Sequence, residues 1–128
     1  MGEGFRVRDQ RGQSLVEFSL SAMLLALLLL GIIQYGFLFA AYTTVRNASA
    51  VGARQALINT NTAAATAKAA VGPMLQTNIA TANFGTTTVA GSTAYVVTVT
   101  YPLKLIIPFV VPGSTNGTRT LTATTIMR

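Results

Sequence analysis

The sequence predicts an α+β protein: one long N-terminal helix, its first half in a membrane, followed by a small β-rich external region. Three observations predict it. Residues 18–45 carry no charged side chain. Residues 24–30 are pure Leu and Ala, both strong helix formers. Beyond Gly85 the composition shifts to Thr, Val and Tyr, which favour strands.

Composition agrees with a chain that is half anchor. Of the 128 residues, 51% are hydrophobic and the mean hydropathy is +0.52. Only 9% are charged, against about 25% in an ordinary soluble domain. Surfaces so poor in charge belong against lipid or other subunits. The absence of Cys and His excludes thiol nucleophiles, disulfides, Cys/His zinc sites and imidazole acid–base chemistry. Glu3, Asp9 and Glu17 are the only acidic residues, too few and too early for a paired-carboxylate site. No catalytic residue, metal site or cofactor is therefore predicted. The formal charge is +6, but the basic residues are scattered. Nucleic-acid binding would need them clustered with aromatic platforms, so none is predicted.

Residues 1–12 form a polar, cationic leader with Arg6, Arg8 and Arg11. It lacks the apolar core and small-x-small site of a secretory signal peptide. Positive charge before an apolar span places the N-terminus in the cytoplasm and the C-terminal part outside. Residues 13–71 read as one long helix, with Ser14 and Glu17 spaced as a capping box at its start. Residues 18–45 exceed the roughly 20 apolar residues that span a bilayer. Gly31 and Gly36 lie inside this span, and Tyr35 and Tyr42 suit an aromatic interface belt. Arg46 closes the charge-free run.

The helical pattern continues past the membrane. Ala48, Gly52 and Ala56 make a small-xxx-small row, which lets helices approach closely. The Asn59-Thr60-Asn61-Thr62 stretch weakens the helix, residues 63–71 resume it, and Gly72-Pro73 ends it. Residues 72–128 form the external region. Pro73 opens a short helix to about Thr81, and Asn83 to Gly85 read as a turn. Residues 86–89 and 93–101 flank Ala90-Gly91-Ser92 as a hairpin. Residues 103–111 are apolar but contain Pro108; with Pro102 and Pro112, this argues for a loop or edge strand. Asn116-Gly117 is a turn before a last strand over 118–127. Asn47-Ala48-Ser49 and Asn116-Gly117-Thr118 match the N-glycosylation pattern, a weak signal.

Arg11-Gly12 with Leu15-Val16-Glu17-Phe18, then Gly31-Ile32-Ile33-Gln34-Tyr35-Gly36, Asn47-Ala48 and Gly52-Ala53-Arg54, resemble the TadE-like family. These are pilins or pseudopilins of the tight-adherence, Flp-type branch of type IV pili. Residues 97–103 and 121–128 also look like the family's ending. Gln34 and Phe37 depart from the Glu and Arg common in such proteins, and Val51 from an acidic or polar residue.

The resemblance implies several expectations. A prepilin-type peptidase would cut between Gly12 and Gln13. The chain would sit in the inner membrane before assembly and in an extracellular pilus after it. Its partners would be copies of itself or other pilin subunits, together with the pilus assembly machinery. Its function would be that of a structural subunit, major or minor, or a pseudopilin. The α-amine that cleavage would create at Gln13 lies four residues before Glu17, on the same helix face. That amine, from the same chain or a neighbour, would neutralise the carboxylate. A rival expectation is a signal-anchored envelope protein that binds through its ectodomain and never polymerises. A membrane enzyme is more distant, since Lys68 and Lys104 have no identifiable serine partner.

Leu28 lies near the centre of the span. Leu28→Arg is expected to cost about 2.5–3.5 kcal/mol of insertion, measured with a topology reporter fused after Arg128; unimpaired insertion would remove Leu28 from the bilayer.

Overall fold

A computed structural model describes residues 6–72, 74–107, 111–114 and 116–128. Two helices, α1 (Arg6–Ile58) and α2 (Thr60–Ala70), precede three strands, β1 (Thr81–Val89), β2 (Ser92–Lys104) and β3 (Thr118–Met127). The chain divides between Tyr35 and Gly36 into two units. Among the described residues, the first is helix alone. The second, Gly36–Arg128, holds the rest of α1, α2 and the sheet. The α+β class and the long apolar N-terminal helix are as the sequence predicts.

The predicted single helix over 13–71 differs from the observed pair at both ends of α1. Helical structure is already present at Arg6, so Ser14 and Glu17 lie inside α1 and cap nothing in this form of the chain. Residues 1–5 of the predicted leader lie outside the described residues. At the other end, Asn59 breaks the helix with extended backbone, φ −151° and ψ 107°. Its N–H still donates to the Gln55 carbonyl at 2.8 Å, closing α1. Its side-chain oxygen accepts from the Asn61 N–H at 3.0 Å, capping α2. Asn and Thr compete with the helix by bonding nearby backbone, which makes this run both a stop and a start.

α2 then folds back along α1. Gln55 Nε2 donates to Thr62 Oγ1 at 3.0 Å. A Cβ placed on Gly52 would stand 2.5 Å from the Ala67 Cβ, 3.0 Å from Val97 Cγ1 and 3.2 Å from the Ala63 carbonyl. Glycine at 52 is thus what allows the two helices and β2 to meet. Ala48, Ala53, Ala56, Ala63 and Ala67 are all buried around it. α2 ends with Val71 as its C-cap and Gly72 at φ +73°, a left-handed conformation that glycine adopts without penalty.

The sheet is an antiparallel meander in the order β1-β2-β3. Its buried face is carried by Val97, Val99, Tyr101 and Leu103 of β2 and by Leu121 and Ala123 of β3. Register pairs Val99 with Ala123 and Tyr101 with Leu121, so the two strands supply one continuous apolar layer. Thr98, Thr100, Thr120, Thr122 and Thr124 alternate onto the other face, where the Thr98 and Thr124 hydroxyls hydrogen-bond at 3.0 Å. The helical layer is tied to the buried face by a hydrogen bond of 2.7 Å between the hydroxyls of fully buried Ser49 and Thr125. Tyr101 adds another tie by accepting the Gln76 N–H at 3.3 Å.

Three local expectations fail for physical reasons. The helix expected from Pro73 to about Thr81 is absent over 74–79, which form turns, and Pro73 lies outside the described residues. The turn expected at Asn83 to Gly85 is the middle of β1, paired with Val96, Val97 and Thr98. Asn and Gly favour turns in isolation, but Phe84 between them stacks on Tyr95 with centroids 6.0 Å apart. This cross-strand packing outweighs local preference.

Third, Pro102 sits in the central strand, where proline was expected to be excluded. The Leu105 N–H donates to the Gly117 carbonyl at 2.8 Å, which marks the odd-numbered residues here as bonding toward β3. Pro102 therefore turns its missing donor toward β1, and β1 ends at the Thr81–Thr100 pair. No ladder bond is lost. Of the apolar run 103–111, Leu103 and Lys104 end β2, and Leu103, Leu105 and Val111 are buried. Pro108 and its two successors lie outside the described residues.

The hairpin expected at Ala90-Gly91-Ser92 is present with a two-residue loop, since Val89 pairs with Ser92. Both loop residues have positive φ, 51° at Ala90 and 78° at Gly91, as a type I′ turn requires. Asn116 and Gly117 repeat the pattern at 50° and 73°. Ala90 is the poor choice of the four, because a Cβ in this region costs about 1–2 kcal/mol. Ala90→Gly is expected to raise stability by up to about 1 kcal/mol, read by urea unfolding in detergent; a loss of stability would contradict the turn geometry. Gly52→Leu is expected to lower stability by at least about 1–3 kcal/mol through overpacking. Gly36→Ala, with nothing within 4 Å of the added Cβ, should not lower it. Equal effects of the last two substitutions would refute the close helix crossing.

Candidate assembly helix

Gly12–Ile58 is apolar and long enough to cross a membrane. None of the side chains in its most apolar window is buried by the protein. Leu15, Val16, Phe18, Leu20, Met23, Leu24 and Phe39 are each more than half exposed. The face is apolar all round, as for a helix whose surroundings are themselves apolar.

The polar side chains of this helix turn back onto its own backbone. Ser19 Oγ donates to the Val16 carbonyl at 2.8 Å. Thr43 and Thr44 each donate to the Ala40 carbonyl at 2.9 Å. A hydroxyl with no water nearby must find an acceptor, and the preceding turn supplies it. Gln34, at the position where the family commonly carries Glu, is buried to 5% exposure.

Glu17 is exposed, one turn inside the apolar segment. Its Oε1 accepts from the Gln13 side-chain amide at 3.4 Å, a long contact between residues four apart. The geometry brings Gln13 and Glu17 onto one face. The group on Glu17 is the neutral amide, since the Gln13 backbone nitrogen is here a peptide inside α1. Gly12 is exposed, with nothing within 4 Å of where a Cβ would stand. Glycine weakens a helix by about 1 kcal/mol relative to alanine. The turn at Gly12 is therefore both uncovered and the easiest place to unwind.

The remaining predicted contact residues lie elsewhere. Ala48, Gly52 and Ala56 are buried inside the second unit, and the neighbours of Gly52 are Ala63, Ala67 and Val97. They pack the chain against itself, so the small-residue row is not a free surface for a second subunit. Sequence reasoning missed Ser49. It reads as the third residue of a glycosylation pattern, whereas its hydroxyl is buried on Thr125 and on the Arg46 carbonyl at 2.8 Å. The signal was present in the helical spacing of Val45, Ser49, Gly52 and Ala56, which places Ser49 on the buried face.

No curated protein and no solved structure matches the chain. A family model described as TadE-like protein matches residues 12–54. The match covers about a third of the chain: it starts at Gly12, takes in the apolar span and Glu17, and ends two residues past Gly52. The resemblance read from Arg11-Gly12 through Gly52-Ala53-Arg54 and the family model thus point to the same segment, and over residues 12–54 the chain is similar to TadE-like proteins.

Proposed function

We propose that this chain is a pilin-like subunit, or a pseudopilin, of a Tad-type surface filament, built into it through its N-terminal helix. The observation that carries the reading is the bare apolar surface of residues 12–30 with a lone carboxylate near its start, inside a TadE-like segment. Before assembly, lipid covers that surface. In a filament, helices of neighbouring subunits replace the lipid, and the external unit is carried outward. The N-terminus stays cytoplasmic, following the arginines of the leader. The chain is a substrate in its own maturation and not an enzyme.

Cleavage after Gly12 changes the start of the helix in two ways. It removes Arg6, Arg8, Arg11, Glu3 and Asp9, taking the formal charge from +6 to about +5. It also replaces the Gln13 peptide nitrogen by an α-amine, mostly protonated at neutral pH. An unpaired carboxylate in an apolar segment costs a few kcal/mol, so Glu17 needs a partner there. The neutral Gln13 amide is a weak one. An amine from the same or an adjacent subunit neutralises the charge. If it comes from the neighbour, it also fixes the axial register between subunits, which apolar contact alone leaves free.

Intact-mass measurement on protein from the native host should find a chain beginning at Gln13. Retention of Met1 in assembled material would exclude this maturation. Glu17→Gln keeps the size and most of the hydrogen bonding but removes the charge, and both it and Glu17→Ala are expected to reduce incorporation into filaments by tenfold or more. Full incorporation of Glu17→Gln beside a defective Glu17→Ala would show that hydrogen bonding suffices and no charge pair operates.

A further inference from the structure

We infer that the unit Gly36–Arg128 docks on a protein surface bearing Asp and Glu side chains, and not on another copy of itself. The inference rests on the assembly reading and names the partner of its external part.

Beyond Glu17 the sequence contains no acidic side chain at all, while six cations remain: Arg46, Arg54, Lys68, Lys104, Arg119 and Arg128. Two of them serve the fold. Arg119 donates to the Pro112 carbonyl, and Arg128 Nη1 donates to the Val89 carbonyl at 3.3 Å. Lys68 also sits in the last turn of α2, where a cation suits the helix dipole. Arg46, Arg54, Lys68 and Lys104 are exposed, and their side chains make no hydrogen bond or ion pair among the described residues.

Two copies of such a unit cannot form an ion pair between their side chains in any orientation. Every close approach sets a cation against another cation or against neutral surface, or neutral surface against neutral surface, and none of these is a side-chain ion pair. Opposed like charges suppress a wrong partner, and complementary ones fix register and speed encounter. The charge pattern therefore disfavours the homotypic contact and favours an acidic one. Apolar contact between copies of the helix is unaffected, because that surface carries no cation between residues 18 and 45.

The positions of the cations also select the kind of anion. They fall on separate elements, two on α1 and one each on α2 and at the end of β2. Along the chain each is at least eight residues from the next. A phosphate backbone or polyanionic chain is matched by a clustered stripe of cations. Single carboxylates set apart on a folded surface match this spacing.

Zero-length carbodiimide coupling tests the inference in the native host, on full-length chain in membranes and in sheared filaments. The reagent joins a lysine amine to a carboxylate only when the two touch. Lys68 and Lys104 are the only lysines, so each product is assigned by peptide mass. The expected result is an isopeptide from Lys68 or Lys104 to Asp or Glu of a different polypeptide. The double variant Lys68→Gln, Lys104→Gln should lose that product, and its co-purification with the same polypeptide should fall at least several-fold. Raising salt from about 0.1 to 0.5 M should lower the wild-type recovery, as screening requires. Products only to a second copy of this chain, or retention on a heparin column without any carbodiimide product, would overturn the inference. So would unchanged co-purification of the double variant. If coupling succeeds in membranes while the chain never enters filaments, the assembly reading fails and the docking surface stands.

Discussion

An apolar helix surface that its own chain does not cover sets the terms for the rest of this molecule. From residue 18 to residue 45 there is no charge, and the large side chains facing outward are Leu, Ile, Phe, Met and Tyr. At about 25 cal/mol per Å² of apolar surface, leaving this helix in water is far outside what a small domain's folding energy could offset. Lipid or other helices must surround it. The hydroxyls of Ser19, Thr43 and Thr44 are consistent with that setting, since each bonds to the turn before it.

The unit Gly36–Arg128 solves a different problem, that of folding with few large side chains. Its helices present mainly alanine, and among its fully buried residues valine is the largest. Small residues compensate by close approach. With Gly52 against Ala67 and Val97, backbone and sheet come near enough for dispersion contacts to be made over the whole helix face. The Ser49–Thr125 hydrogen bond then fixes how the helix lies along the strands, because a buried hydroxyl pair tolerates little displacement. The break at Asn59 is part of the same solution. A helix continuing to residue 71 would carry Ala63 and Ala67 away from Gly52, and the core would lose its second helix.

Much of this was legible beforehand. The apolar run, the small-residue row and the alternation along residues 93–101 each follow from spacing that a membrane, a helix crossing or a half-buried strand imposes. The failures share one cause. Asn83, Gly85, Pro102 and Asn59 were read from local preference, and their outcome depended on partners distant in sequence. Asn83 and Gly85 are held extended by the strand opposite. Pro102 is tolerated because β1 stops two residues short of it. Asn59 ends a helix because α2 has a surface to return to. At the helix start, spacing placed Gln13 and Glu17 on one face, but it could not distinguish an α-amine from the side-chain amide that reaches Glu17 in the uncut chain.

The distribution of charge gives the two units separate tasks. Apolar helices associate without much preference for register or partner, since one leucine-rich face packs much like another. Specificity must then come from what is not apolar. Along the helix the only candidate is Glu17, an anion that needs a cation at one axial position. In the unit Gly36–Arg128 the sign is reversed, with exposed cations and no acidic side chain. Glu17 at the helix start and the cations of Gly36–Arg128 are opposite in sign. In the proposed assembly each is left for a group on another molecule, one for register and the other for the identity of the neighbour.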